Sequence, residues 1–231
     1  MEYKTYQYLQ KSLCSYLTLT KYSNINKTST ALSLLKCLNQ YHMLEILSFN
    51  YTDLKNLQQY VGTINAPIEY VHGSILDDSI ILGFQDSLDI DDSYSFMIKS
   101  FSPNYKSHNV RAKLLDANEI IFFGHSLGNI DYHYFEDLFR RQSQAEKANP
   151  NLILRIFTYD EISRRETLIQ LREMNGKRTN MLYDLCNFEI YRTKDSIDEN
   201  KIEKYIGELT ERFKKHPPIV TPKPCGIQIL S

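Results

Sequence analysis

Apolar positions recur along this chain with two periods. Tyr6, Leu9, Leu13, Tyr16 and Leu17 are spaced for a helix over residues 4–19. Leu32, Leu35 and Leu38 give a second over 30–40, with Ser29 or Thr28 as its cap. The run 43–48 reads as a buried strand that ends in Phe49-Asn50-Tyr51-Thr52, and 53–60 as a helix stopped at Gly62. Short strands follow at 68–72, closed by Gly73-Ser74, and at 79–83, paired as a hairpin across Asp77-Asp78. An acidic loop, 86–94, leads into helical stretches that reach Leu115. Then come a strand at 119–123 and a helix from Asp131 with Phe135, Leu138 and Phe139 inward. A strand at 152–158, a helix at 160–174, a short helix at 180–186 and a strand at 188–192 follow. The last helix, 198–214, carries Ile202, Tyr205, Ile206, Leu209 and Phe213 on one stripe.

Buried strands alternating with amphipathic helices predict an α/β, Rossmann-like three-layer fold with a mainly parallel sheet. The chain reads as a single domain over 1–215, with 1–42 as a helical lead-in. Residues 216–231, with Pro217, Pro218, Pro222 and Pro224, read as an unpacked proline-rich tail. Such sheets bind ligands at the carboxyl ends of their strands. If the strands ending at Asn50, His72 and Ser126 are neighbours, those three residues share one crevice.

Composition narrows the function classes. With 231 residues and 42% hydrophobic content the chain can bury one sizeable core. A net charge of −1 gives no field for nucleic acid or an anionic membrane. The four cysteines are scattered, which argues against a zinc knuckle or a disulfide framework and for a reducing cytoplasm. The polar start, Met1-Glu-Tyr-Lys, has no signal-peptide pattern, and no apolar run approaches the ~20 residues that span a bilayer. A cytoplasmic protein is expected.

The segment Gly124-His125-Ser126-Leu127-Gly128 spells G-x-S-x-G after a predicted strand, as in the nucleophile elbow of serine hydrolases. It equally fits a glycine-bearing turn beside a nucleotide. Against the elbow, only His133 and His216 lie downstream as bases, and the residues after Gly128 are not small. His72, ending a strand before Gly73, suits general-base work on a ribose hydroxyl or a water, or else simply bonds its own turn. Asn50 can close an Asx-turn or bind a hydroxyl. Asp131 is most economically a helix cap. His125, Asp131 and His133 match no metal-ligand spacing, so no metal is expected.

Together, Ser48-Phe-Asn-Tyr-Thr52, Val71-His-Gly73, Ile81-Leu-Gly83 and Phe123-Gly-His-Ser-Leu-Gly-Asn-Ile-Asp131-Tyr-His-Tyr-Phe135 resemble the AbiH-type bacteriophage abortive-infection proteins. These look like distant relatives of the sirtuin-like NAD-binding domains of phage-defence systems. The resemblance runs over about 43–159. It implies a nucleotide site and cleavage of NAD at the nicotinamide–ribose bond. His72 would then polarise a ribose hydroxyl or water, and Asn50 would position the attacking water. Tyr51, Gly73, Gly124 and Ser126 would line the nucleotide, and Asp131 matches a recurrent acid of the pattern. A non-catalytic sensor or interaction domain of a defence system is the alternative, and a serine hydrolase the third reading.

One departure matters. The family opens with a strand and a glycine-rich turn that cradles phosphate. This chain begins with a helix and has no glycine before Gly62. The sheet is therefore expected to be incomplete at its N-terminal end. The missing strand is then expected to come from a partner chain or a second copy, since an open central position exposes apolar edges.

Overall fold

A computed structural model describes residues 3–19, 26, 28–40, 45–51, 53–128, 130–215 and 227–230. Helix α1 (Tyr3–Leu19) and helix α2 (Thr30–Gln40) come first, and strand β1 (Glu45–Ser48) follows. A turn at Leu54–Leu57 and the short α3 (Gln58–Val61) lead to β2 (Ile68–Tyr70). After a long irregular stretch come α4 (Val110–Asp116), β3 (Glu119–Phe123), α5 (Tyr132–Gln142) and β4 (Ile153–Thr158). The described chain closes with α6 (Glu161–Met174), α7 (Thr179–Leu185), β5 (Asn187–Arg192), α8 (Glu199–Lys215) and β6 (Ile227–Leu230).

The six strands form one sheet in the order β2-β1-β6-β3-β4-β5, and every adjacent pair is parallel. Parallel strands sandwiched between helices must be apolar on both faces, which explains the uninterrupted run Ile120-Ile121-Phe122. Leu47, Ile120, Phe122, Leu154 and Ile156 pack with α4, α5, α6 and α7 on one side. Ile46, Ile121, Phe157 and Tyr191 pack with α2, α3 and α8 on the other. This is the three-layer α/β fold the periodicity predicts.

The strand order is the dinucleotide-binding order 3-2-1-4-5-6, with one displacement in the chain. No strand precedes β1 among the described residues, as the helical opening leads one to expect. The position of first strand is nonetheless filled, by β6. Its backbone pairs Glu45, Ile46 and Leu47 of β1 on one side and Glu119 to Phe122 of β3 on the other. The reading of 216–231 as an unpacked tail is corrected for 227–230, which lie at the centre of the sheet. Residues 216–226 and 231 fall outside the described residues.

Two further expectations change. Residues 79–83 are not a strand. The Ile81 amide donates to the His72 carbonyl at 2.8 Å and the Ser79 amide to that of Ser74 at 3.1 Å, so the segment doubles back on the turn after β2 without a ladder. Helix α1 lies outside both layers and buries only Tyr6, whose hydroxyl donates to the Leu82 carbonyl at 2.8 Å. Residues 43 and 44 of the first expected strand are outside the described residues.

Candidate functional site

Four charged or ionisable side chains meet beside the carboxyl ends of β1, β2 and β3. His72 follows β2 and is 6% exposed. Its Nε2 lies 2.7 Å from Oδ1 of Asp131, which stands at the N-terminal boundary of α5. Lys99, 6% exposed in the irregular stretch before α4, places Nζ 3.4 Å from the same oxygen and 3.2 Å from His72 Nε2. His125, two residues past β3, sets Nε2 3.5 Å from Asp131 Oδ2. Phe49 packs edge-on against both imidazoles, with ring centroids 5.4 Å from His72 and 4.7 Å from His125.

The hydrogen-bond geometry fixes the tautomers. The Leu127 amide donates to His125 Nδ1 at 2.9 Å, so that nitrogen is an acceptor and the proton sits on Nε2, facing Asp131. Burial alone raises a carboxyl pKa, but His125, His72 and Lys99 together hold that of Asp131 far below the ordinary carboxylate range. An ionised Asp131 at 2.7 Å requires a proton on His72 Nε2, and Lys99 then donates to Asp131 and not to the ring. Burial lowers the Lys99 pKa while Asp131 opposes the shift. Burial near Asp131 also pushes the Tyr51 hydroxyl up to about 12. That hydroxyl donates to the Ile81 carbonyl at 3.3 Å.

Of the residues the sequence singles out, the structure joins His72 to Asp131 and brings Tyr51 close. Asp131 stands at the N-cap of α5, where its place in the sequence puts it, and its side chain makes no capping hydrogen bond. His72 does not bond its own turn through Nε2. Gly73, at φ +79°, presses against the Ser79 carbonyl, where a Cβ would come within 2.0 Å. Asn50 is exposed, its backbone bonded to the Ser48 hydroxyl, and Phe49 takes the place against His72. Gly124 adopts φ +67° in the open, with its amide donating to the Phe157 carbonyl at 3.1 Å.

Ser126 is exposed, and its hydroxyl accepts from the Gly128 amide at 3.3 Å. The strained left-handed conformation of this turn falls on Leu127, φ +53°, and not on the serine. No histidine among the described residues bonds Ser126, so the G-x-S-x-G segment is a turn that aims His125 inward and exposes the serine.

Sequence reasoning missed Lys99 and gave His125 no role. His125 lies within the quoted motif, but Lys99 sits in an aperiodic stretch where no spacing marks it.

A separate cavity of about 620 Å³ opens at the carboxyl ends of β3, β4 and β5 on the α2/α8 face. Ser29 and Thr30 at the N-terminus of α2, with Phe123, Tyr159, Arg192 and Thr193, are among its walls. The His72 cluster lines none of it. Among the described residues no group of three histidine, cysteine or acidic side chains is arranged to hold a metal. No described helix is long and apolar enough to cross a membrane.

A sequence pattern described as Bacteriophage abortive infection AbiH matches residues 2–149, well over half of the chain. The match includes α1 and α2, which lie before the stretch 43–159 that carries the quoted motifs, and stops short of β4. No curated protein and no solved structure matches.

Proposed function

The chain belongs to the bacteriophage abortive infection AbiH family and is a phage-defence protein; from that premise we propose that it binds a dinucleotide of the NAD type, in a sirtuin-like site, and hydrolyses it at the nicotinamide–ribose bond. One observation carries the reading: a buried Asp131–His72 pair at 2.7 Å at the carboxyl end of a parallel sheet with dinucleotide-binding strand order.

The ligand would lie across the point where the strand order reverses, at β6. Its phosphates and adenosine half would fill the 620 Å³ cavity against the hydroxyl-rich start of α2, where helix amides favour an anion. Its nicotinamide ribose would reach the His72 cluster. With Nε2–H held by Asp131, His72 Nδ1 takes a proton from a ribose hydroxyl or an attacking water. Water adds at the anomeric carbon as the glycosidic bond breaks, and nicotinamide leaves with the bonding electrons. Asn50, exposed beside the cluster, positions that water. Gly124 and Ser126, in the turn after β3, would contact the nucleotide.

The cluster is nearly closed, with the side chains of His72 and Asp131 7% and 15% exposed. Substrate access therefore needs the Lys99-bearing stretch to move. That closure favours the second reading, in which the protein is a non-catalytic sensor and the cluster locks the loop onto the sheet.

Purified protein incubated with NAD, wild type beside His72→Ala, separates the two. NAD loss that disappears with His72 supports the glycohydrolase. No turnover, together with phage protection unchanged in His72→Ala, leaves the sensor.

A further inference from the structure

Arg155 on β4 points toward α8 and is only 4% exposed. Its guanidinium donates to the Leu154 carbonyl at 3.1 Å, to the Asn187 carbonyl, and to Asn187 Oδ1 at 2.8 Å, all uncharged acceptors. Its Nε has no hydrogen-bond partner among the described residues. The ring of Tyr205 lies 5.1 Å from the guanidinium carbon. Arg192 and Arg212 pair with Asp198 and Glu119, but Arg155 pairs with no carboxylate among the described residues. A buried cation without a counter-ion is costly in a folded protein.

Arg155 also lines a cavity of about 570 Å³ between β5 and α8. The other cations there are matched. Lys204 pairs with Glu208, Lys201 with Asp198 and Arg164 with Glu161. Glu189, opposite Arg155 in the β4–β5 register, is exposed and turned to the Tyr191 hydroxyl. Arg155 is thus the cation of this cavity that pairs with no carboxylate among the described residues, with tyrosines at its sides.

We propose that this cavity is a second ligand site, in which Arg155 binds the oxyanion of a small phosphorylated or carboxylated molecule. It is separate from the His72 cluster and independent of the nucleotide reading. A planar guanidinium suits either group, since both offer two oxygens to its fork.

The probes are inorganic phosphate and succinate, each compared with chloride at equal ionic strength. At about tenfold over its dissociation constant, the better probe raises the wild-type Tm by roughly 3–6 °C, and Arg155→Met abolishes the rise. Whichever probe acts identifies the group. In the wild-type protein the same titration shifts the Arg155 Nε–H resonance, a readout that survives if Arg155→Met fails to fold. A rise no larger than that of chloride with an unmoved Nε–H signal, or an equal rise in Arg155→Met, overturns the proposal.

Discussion

His72 and Asp131 lie 59 residues apart in the chain and meet at 2.7 Å, Nε2 to Oδ1. The contact joins the end of β2 to the start of α5 across the switch point of the sheet. It is a polar tie between the two halves of the fold.

Asp131→Asn tests this tie and the proposed chemistry together. The amide cannot hold the His72 tautomer, so NAD turnover is expected to fall by about 10²–10⁴. Lys99 is left buried beside a neutral group, which costs about 3–5 kcal/mol near pH 7 by urea denaturation.

The pH dependence of that cost has a definite sign. The folded pKa of Asp131 is depressed, so its contribution is present above the unfolded value of about 4 and is lost as pH falls toward the folded one. The stability gap between wild type and Asp131→Asn should therefore narrow steadily in titrations below pH 4. A gap constant from pH 7 to pH 3 contradicts this assignment.

Two glycines with the same left-handed backbone should differ sharply on substitution. At Gly73 a Cβ meets the Ser79 carbonyl oxygen at 2.0 Å, whereas at Gly124 nothing lies within 4 Å. Gly124→Ala pays only the backbone term, about 1–2 kcal/mol, while Gly73→Ala should exceed it by at least about 2 kcal/mol. Thermal denaturation of the two variants gives the comparison directly.

Glu119 predicts an asymmetry. Its buried carboxylate accepts from Tyr205 at 2.8 Å and from both Arg212 terminal nitrogens at 2.9 and 2.8 Å. The Arg212 side chain is 42% exposed and Glu119 only 8%. Arg212→Met strands a buried anion and should cost about 3 kcal/mol or more, whereas Glu119→Gln frees a cation that water can reach and should cost less. Equal losses in denaturant melts would show that Arg212 is not the counter-ion.

Ser126 should be inert as a nucleophile. Its exposed hydroxyl accepts from a backbone amide and has no base among the described residues, so a fluorophosphonate probe should leave it unlabelled. Labelling at Ser126 would revive the hydrolase reading.

Much of this architecture is legible without coordinates because its signals are local. The strand at 119–123, the stripe Ile202–Leu209 of α8 and the stop at Gly62 each follow from a few consecutive residues. The site is legible only in part. His72-Gly73 and Asp131 stand in short motifs, but the partner of each is remote. Lys99 lies in a stretch without period, and no spacing marks Phe49, whose ring the end of β1 places against the imidazoles. The 79–83 run looks like a strand because it is apolar, yet it is buried by folding back on the turn at His72.

The sequence by itself determined the layers, since the apolar period fixes which residues must leave water and on which side of each element. Only the tertiary structure decided which strand fills the central position and which charges share a buried space. Ile227–Leu230 carry no label of centrality; they become the middle strand because β1 and β3 present two facing rows of unpaired amides and carbonyls that one parallel strand can satisfy together.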